Sequence, residues 1–115
     1  MSEKTLSAMQ AEIDAYIKQF KIGYFSPLSQ VARLSEEVGE LAREVNHHYG
    51  EKTKKSSEEI KTVAEELGDV LIATLVMANS LEIDLTKSFN ENMQKFKKRD
   101  EQRFERHDEY QEVSE

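Results

Sequence analysis

The sequence predicts an all-α protein, a four-helix core bundle that is completed by oligomerisation. Charged residues make up 34% of the chain and hydrophobic residues 37%, with only four glycines and one proline, a composition typical of long exposed helices. Apolar residues recur at three- and four-residue steps, as in amphipathic helices. From Val70 to Ala78 only Thr74 interrupts an apolar run, so this segment needs cover on nearly every side. A chain of 115 residues buries a modest core by itself, so we expect further burial between subunits.

The first two helices are predicted from their apolar stripes and their end signals. The stripe of the first helix, which ends before Gly23, consists of Leu6, Met9, Ile13, Ile17 and Phe20. Ser26 is a predicted N-cap with Pro27 at the first helical position, and Gly50 is a predicted C-cap. The second helix therefore runs from about Pro27 to Tyr49. Its stripe consists of Leu28, Val31, Leu34, Val38, Leu41 and Val45.

The third and fourth helices follow after a polar connector. Ser56 and Glu59 have capping-box spacing for the third helix, which runs to about Asn79. Asp84 is a candidate cap for the fourth helix, whose apolar stripe consists of Leu85, Phe89, Met93 and Phe96. We expect residues 1–115 to form a single domain, with a tail from about residue 101 that is partly disordered or extends the last helix.

The charge and composition exclude several classes of protein. A formal net charge of −7 argues against binding a nucleic acid through broad phosphate contacts. The chain has no cysteine, so disulfides and thiolate sites are excluded. The N-terminal segment lacks the apolar core of an export signal, and no apolar run is long enough to cross a bilayer. We therefore expect a soluble cytoplasmic protein that binds neither nucleic acid nor membrane.

An acidic motif with an interior glycine occurs twice. EEVGE at residues 36–40 is matched by EELGD at residues 65–69. A glycine inside a helix costs about 1 kcal/mol relative to alanine, and like charges on one helical turn repel each other. Since the same unfavourable arrangement appears on two consecutive helices, the repeat indicates a functional site.

The helical positions of these acids indicate a metal site. If Val38 and Leu67 are the centres of the two apolar stripes, the acids of each helix lie at the same angles from the centre of their stripe. The acids of both helices therefore meet at a shared edge when the two stripes pack together. The glycines would let backbones or a ligand approach closely there. Converging carboxylates repel unless a cation neutralises them, and oxygen ligands alone select Mg²⁺, Mn²⁺ or Ca²⁺ over zinc. The predicted ligands of Mg²⁺, with Mn²⁺ as an alternative, are Glu37, Glu40, Glu66 and Asp69.

Two other patterns accompany the predicted metal site. Asn92, Lys95 and Arg99 share one flank of the fourth helix and are available to hold phosphate oxygens, although a basic residue taken alone is more often an ordinary surface cation. Glu44 and His47 form an ExxH pair, as in di-iron carboxylate bundles. Those bundles need a second ExxH, which this chain lacks, and a histidine at a helix end commonly complements the helix dipole.

These residues resemble the MazG-like nucleoside triphosphate pyrophosphohydrolases of the all-α NTP pyrophosphatase superfamily. The family signature, EExxE followed by ExxD, is matched at residues 36–40 and 66–69, and the likeness extends from Tyr24 to Asp100. The resemblance implies Mg²⁺-dependent cleavage of a (d)NTP to the monophosphate and pyrophosphate, as in house-cleaning of the nucleotide pool. It also implies a homodimer or a dimer of dimers.

The resemblance also implies roles for individual residues. Glu37, Glu40, Glu66 and Asp69 match the metal ligands, and Glu36 matches an acid that supports the ligands or orients the attacking water. We therefore take Glu36 and Glu37 as the candidate catalytic residues. Lys95 and Arg99 resemble the basic residues of the family's last core helix, and with Asn92 they are the predicted substrate-binding residues.

The sequence leaves two alternative functions open. One is a narrower enzyme of the same superfamily, directed at dUTP or dCTP or acting as a phosphoribosyl-ATP pyrophosphohydrolase. The other is a non-catalytic helical interaction module with a structural divalent-cation site. Product analysis separates the enzyme from the module, and a substrate panel separates the narrower enzymes.

Overall fold

The computed structural model describes residues 2–50 and 62–107, and these residues form four α-helices and no strand. The helices are α1 (Leu6–Lys18), α2 (Pro27–Tyr49), α3 (Val63–Ser80) and α4 (Leu85–Asp100). The all-α prediction is confirmed. None of the four helices in the described part of the chain is long and apolar enough to span a membrane.

The chain divides into two compact units, Met1–Leu85 and Thr86–Glu115. In the first unit α3 packs mainly against α2 and also contacts α1. Of the residues that the structure describes, the fully buried hydrophobic ones all belong to α3, namely Ala73, Leu75 and Ala78. The second unit contains almost all of α4, whose sequence is rich in lysine near its end. The first unit therefore contains both copies of the acidic motif.

Local signals at the helix ends explain most of the boundaries. Ser26 caps α2 by accepting a hydrogen bond from the backbone N–H of Ser29 at 3.3 Å, and Pro27 follows at the first helical position. The predicted bounds of α2 and its C-cap at Gly50 are confirmed. The predicted capping pair Ser56 and Glu59 lies outside the described residues. The described α3 begins later, at Val63, with Thr62 as its N-cap.

Gln10 joins α1 to the end of α3 through a set of hydrogen bonds. Its Nε2 donates to Asn79 Oδ1 at 2.9 Å and to the carbonyl of Ile83 at 2.8 Å. Asn79 Nδ2 in turn donates to the carbonyl of Gln10 at 2.8 Å, and the backbone N–H of Leu85 donates to Gln10 Oε1 at 3.0 Å. This set of bonds ties α1 to the turn between α3 and α4.

The faces that α2 and α3 turn toward each other differ from the predicted ones. Val38, the predicted centre of the α2 stripe, is 47% exposed, and Leu67, the predicted centre on α3, is 54% exposed. Glu44 and Glu66 are buried instead, at 2% and 1% exposure. The two predicted centres are therefore wrong by about one residue, or about 100° of helix rotation. Acidic side chains lie inside the α2–α3 interface rather than at its edge.

Leu75 is the most deeply buried aliphatic side chain in the core, at 2% exposure. We expect Leu75→Ala to lower the free energy of unfolding by about 2–5 kcal/mol, because it leaves a cavity in addition to the lost burial. Ile22→Ala is the matched control, since Ile22 is 70% exposed, and should change stability by less than about 0.5 kcal/mol. Urea unfolding at one fixed protein concentration, followed by circular dichroism, measures both. Equal stability of the two variants would contradict the assigned core.

Candidate metal centre and active site

Three glutamates from α2 and α3 form a compact cluster. Glu37, Glu40 and Glu66 each offer one carboxylate oxygen, and these oxygens all lie within 4.8 Å of one another. Glu37 and Glu40 are three residues apart on α2 and so share a face, while Glu66 comes from α3. The cluster exists because the acidic faces of the two helices pack together.

The cluster concentrates negative charge in a partly buried position. Burial raises the pKa of Glu37 above its ordinary value of 4.5, and the nearby carboxylates of Glu40, Asp69 and Glu66 raise the pKa further. Among the described residues, the positive charge of Arg33 opposes this shift. Oε2 of Glu37 is buried and has no hydrogen-bond partner among the described residues. A buried acceptor without a partner is costly.

The donor chemistry of the cluster fits a hard divalent cation. All of its donors are carboxylate oxygens, the ligands that Mg²⁺, Mn²⁺ and Ca²⁺ prefer. A cation beside Glu37 would also give its buried oxygen a partner and neutralise the charge that raises its pKa. The residues present therefore fit the cation that the sequence predicts.

Asp69 lies near this cluster but outside the group of three. It is close enough to raise the pKa of Glu37, and it follows Glu66 by three residues on the same face of α3. Its side chain is half-buried. Asp69 is therefore placed near the site, and its role as a fourth ligand stays a prediction.

The other predicted site residues have different surroundings. Glu36 is exposed, next to Glu37 but on another side of α2. Asn92, Lys95 and Arg99 are exposed on α4, in the second unit. The guanidinium of Arg99 is bound to Asp100, with Nε 2.9 Å from Oδ1 and Nη2 3.2 Å from Oδ2. A phosphate bound by Arg99 would have to compete with that carboxylate.

The two motif glycines do not make room for any contact within the described chain. A Cβ added at Gly39 or at Gly68 would meet no atom within 4 Å. The predicted close approach of the two helix backbones at these glycines is therefore wrong. Gly39 also follows Glu37 by two residues, which places it about 160° away around α2. Gly39 thus faces away from the acidic cluster.

The structure buries the pair Glu44 and His47, for which the sequence favoured an ordinary position at the helix end. The side chains of Glu44 and His47 are 3% and 4% exposed, and Glu44 Oε2 lies 3.3 Å from His47 Nδ1. A histidine that only complements the helix dipole needs no such burial. Together with Glu37 and Glu40 the pair forms one face of α2 at steps of three and four residues, and this spacing was the available signal.

Comparisons with known proteins show the family of the chain. The family model of the MazG nucleotide pyrophosphohydrolase domain matches residues 25–104. The chain belongs to this family. The matched range includes α2 and α3 and therefore both copies of the acidic motif.

Individual relatives support the family assignment. YpjD of Bacillus subtilis (strain 168) is 56% identical over 109 residues, which cover 95% of this chain and 98% of YpjD. The crystal structure of Bacillus subtilis YpjD, described as a candidate pyrophosphatase, aligns with a TM-score of 0.74 at 58% identity and covers 84% of this chain and 98% of that one. A Bacillus-conserved MazG protein described as a nucleotide pyrophosphohydrolase aligns with a TM-score of 0.73 at 57% identity, over 84% of this chain and 93% of that one.

Proposed function

We propose that this MazG-family protein is a Mg²⁺-dependent nucleoside triphosphate pyrophosphohydrolase that converts a (d)NTP to the (d)NMP and pyrophosphate. The observation that carries the proposal is the carboxylate cluster, whose oxygens from Glu37, Glu40 and Glu66 lie within 4.8 Å of one another. Family membership supports it, because the structural neighbours are described as pyrophosphatases of the same kind.

In this proposal Glu37, Glu40 and Glu66 hold the cation, with Asp69 as the fourth ligand. When bound, Mg²⁺ supplies Lewis acidity that neutralises charge on phosphate oxygens and activates water. Mn²⁺ is an alternative with the same ligand preference. The carboxylates bind in their deprotonated form, and their partial burial strengthens every charge interaction at the site.

The reaction needs a water, a base and a stabilised leaving group. The water oxygen forms a bond to the α-phosphorus, and the bond from that phosphorus to the bridging oxygen breaks, so the bridging oxygen leaves with pyrophosphate. A carboxylate takes the proton of the water, and Glu36 and Glu37 are the proposed bases. Asn92, Lys95 and Arg99 are the proposed phosphate ligands.

A product assay in heavy-oxygen water tests the proposal. The full chain is incubated with each common and damaged (d)NTP, with Mg²⁺ or with EDTA. The products are separated by chromatography, and their masses are measured by mass spectrometry. We expect monophosphate and pyrophosphate with Mg²⁺ only, with the heavy oxygen in the monophosphate because water attacks the α-phosphorus. Heavy oxygen in pyrophosphate would place the attack on the β-phosphorus.

Other outcomes would overturn the proposed function. Diphosphate and orthophosphate would mean that the β–γ bond is cut. No product from any nucleotide, phosphoribosyl-ATP included, would favour the interaction module with a structural cation. The ranking of kcat/KM across the panel separates a broad enzyme from one directed at dUTP, dCTP or phosphoribosyl-ATP.

A further inference from the structure

Arg33 lies on the same side of α2 as the two acids that this helix contributes to the carboxylate cluster. It precedes Glu37 by four residues and Glu40 by seven, so it lies within about 40° of both around the helix. Residues four apart on a helix are neighbours, and the charge of Arg33 acts on the carboxylate of Glu37. Arg33 is exposed, whereas both acids are half-buried. Arg33 therefore lies at the solvent edge of the cluster.

The guanidinium of Arg33 forms no ion pair with another residue of the described chain. Arg99 differs in this respect, because two hydrogen bonds hold its guanidinium against Asp100. An arginine presents five N–H donors in a planar fork that fits the oxygens of a carboxylate or a phosphate. The donors of Arg33 are therefore available to a ligand that binds at the cluster.

The charge balance at the cluster requires a positive group in addition to the metal ion. The three carboxylates carry more negative charge than one divalent cation neutralises, and Asp69 adds another negative charge nearby. A nucleoside triphosphate is itself strongly negative, and its pyrophosphate gains negative charge as the bond to the α-phosphorus breaks. A positive group that contacts the phosphate where this charge develops stabilises the transition state. Among the described residues, Arg33 is placed beside Glu37 to do so.

The position of Arg33 along α2 indicates which phosphate it can contact. In the proposed function a water at the cluster attacks the α-phosphorus, so that phosphorus lies at the cluster. The leaving oxygen lies in line with the attacking oxygen, and the pyrophosphate therefore points away from the water. Arg33 lies one helical turn from Glu37, about 6 Å along the axis. This separation suits the far phosphate of the pyrophosphate better than the α-phosphate.

We propose that Arg33 binds the terminal phosphate of the leaving pyrophosphate and thereby makes the site select nucleoside triphosphates over diphosphates. Its N–H groups donate hydrogen bonds to the phosphate oxygens while the bridging oxygen takes the electron pair of the broken bond, and Arg33 transfers no proton. A nucleoside diphosphate lacks this phosphate and leaves Arg33 without its ligand. The inference rests on the proposed function, but the binding of inorganic pyrophosphate tests Arg33 separately from turnover.

Steady-state kinetics of the full chain with a nucleoside triphosphate and the matching diphosphate test the selection. Arg33→Ala should lower kcat/KM by about 100-fold for the triphosphate and by less than about three-fold for the diphosphate. Arg33→Lys should lose roughly 10-fold on the triphosphate, because lysine keeps the charge but not the planar fork. Arg43→Ala is the matched control: Arg43 is also exposed on α2 but lies about 120° around the helix from Glu37. It should keep both values within about two-fold, and circular dichroism checks that all variants stay folded.

Isothermal titration calorimetry gives a readout that does not depend on turnover. With Mg²⁺ present, Arg33→Ala should raise the dissociation constant of inorganic pyrophosphate by about 10-fold or more. The affinity for Mg²⁺ alone should not fall, because the positive charge of Arg33 repels a cation.

The two measurements separate failure of this inference from failure of the proposed function. A wild type that turns over no nucleotide would overturn the proposed function, and weaker pyrophosphate binding by Arg33→Ala would then still support Arg33 as a phosphate ligand. Pyrophosphate binding that is equal in, or absent from, the wild type and Arg33→Ala would overturn the inference. Equal losses on the triphosphate and the diphosphate would overturn the selection, and an equal loss in Arg43→Ala would overturn the assignment to Arg33.

Discussion

Glu66→Gln is expected to reduce turnover by at least about 100-fold while the protein stays folded. Glu66 is 1% exposed and comes from α3, whereas the other two acids of the cluster come from α2. Glutamine has nearly the same shape but no charge, so the change removes a ligand without opening a cavity. Glu40→Gln should have an effect of the same order, because it removes another of the three charges.

The measurement is kcat at saturating nucleotide over a titration of Mg²⁺, with the helical signal in circular dichroism as the check on folding. Glu65→Gln is the matched control: it neutralises the neighbouring, exposed acid of the same helix and should keep activity within about two-fold. Turnover of Glu66→Gln equal to that of the control would remove Glu66 from the site. If excess Mg²⁺ restores the lost activity, the role of Glu66 is in holding the cation and not in the chemical step.

Glu37→Gln is expected to make the cation-free protein more stable and to abolish its stabilisation by Mg²⁺. The pKa of Glu37 is raised by burial and by its carboxylate neighbours, with Arg33 opposing. The folded state therefore holds the proton more tightly than the unfolded state, and folding loses stability as the pH rises from the ordinary value of 4.5 through the raised pKa. In EDTA at neutral pH the variant should therefore melt at a higher temperature than the wild type.

A thermal melt over a range of pH, with and without Mg²⁺, measures both effects. In EDTA the advantage of the variant should disappear below the ordinary carboxyl range, where Glu37 is protonated in both states. Mg²⁺ should raise the melting temperature of the wild type, because it binds only the folded state, and should lose this effect as the pH falls and Glu37 takes up a proton. A variant that melts lower than the wild type in EDTA would contradict the repulsion assigned to this site.

The sequence was sufficient where the signals are local. Ser26 and Pro27 at one end and Gly50 at the other placed the bounds of α2, because capping and the restricted φ of proline depend only on neighbouring residues. The start of α3 could not be placed from local signals in the same way. Its N-cap is Thr62, but the connector also contains Ser56 and Glu59, which have the spacing of a capping box. Several residues there could cap a helix, and packing decides among them.

The candidate site was only partly predictable, for a physical reason. The repeat identified the acids, and the structure brings the carboxylates of Glu37, Glu40 and Glu66 together. The sequence did not predict that these carboxylates lie inside the α2–α3 interface. Val38 and Leu67 are more apolar than the glutamates, so the sequence pattern favoured them as the residues of that interface. The sequence of α2 shows both an apolar stripe and an acidic face, but it does not show which of them packs against α3.

The hydrogen bonds of Gln10 limit the order in which the protein can fold on the ribosome. Their partners Asn79, Ile83 and Leu85 lie 69, 73 and 75 residues further along the chain. Since synthesis runs from the N-terminus, α1 is complete long before any of these partners exists, and its apolar side has no α3 to contact. The docking of α1 is therefore a late, long-range step, and during translation α1 has to wait for α3 with its apolar side uncovered.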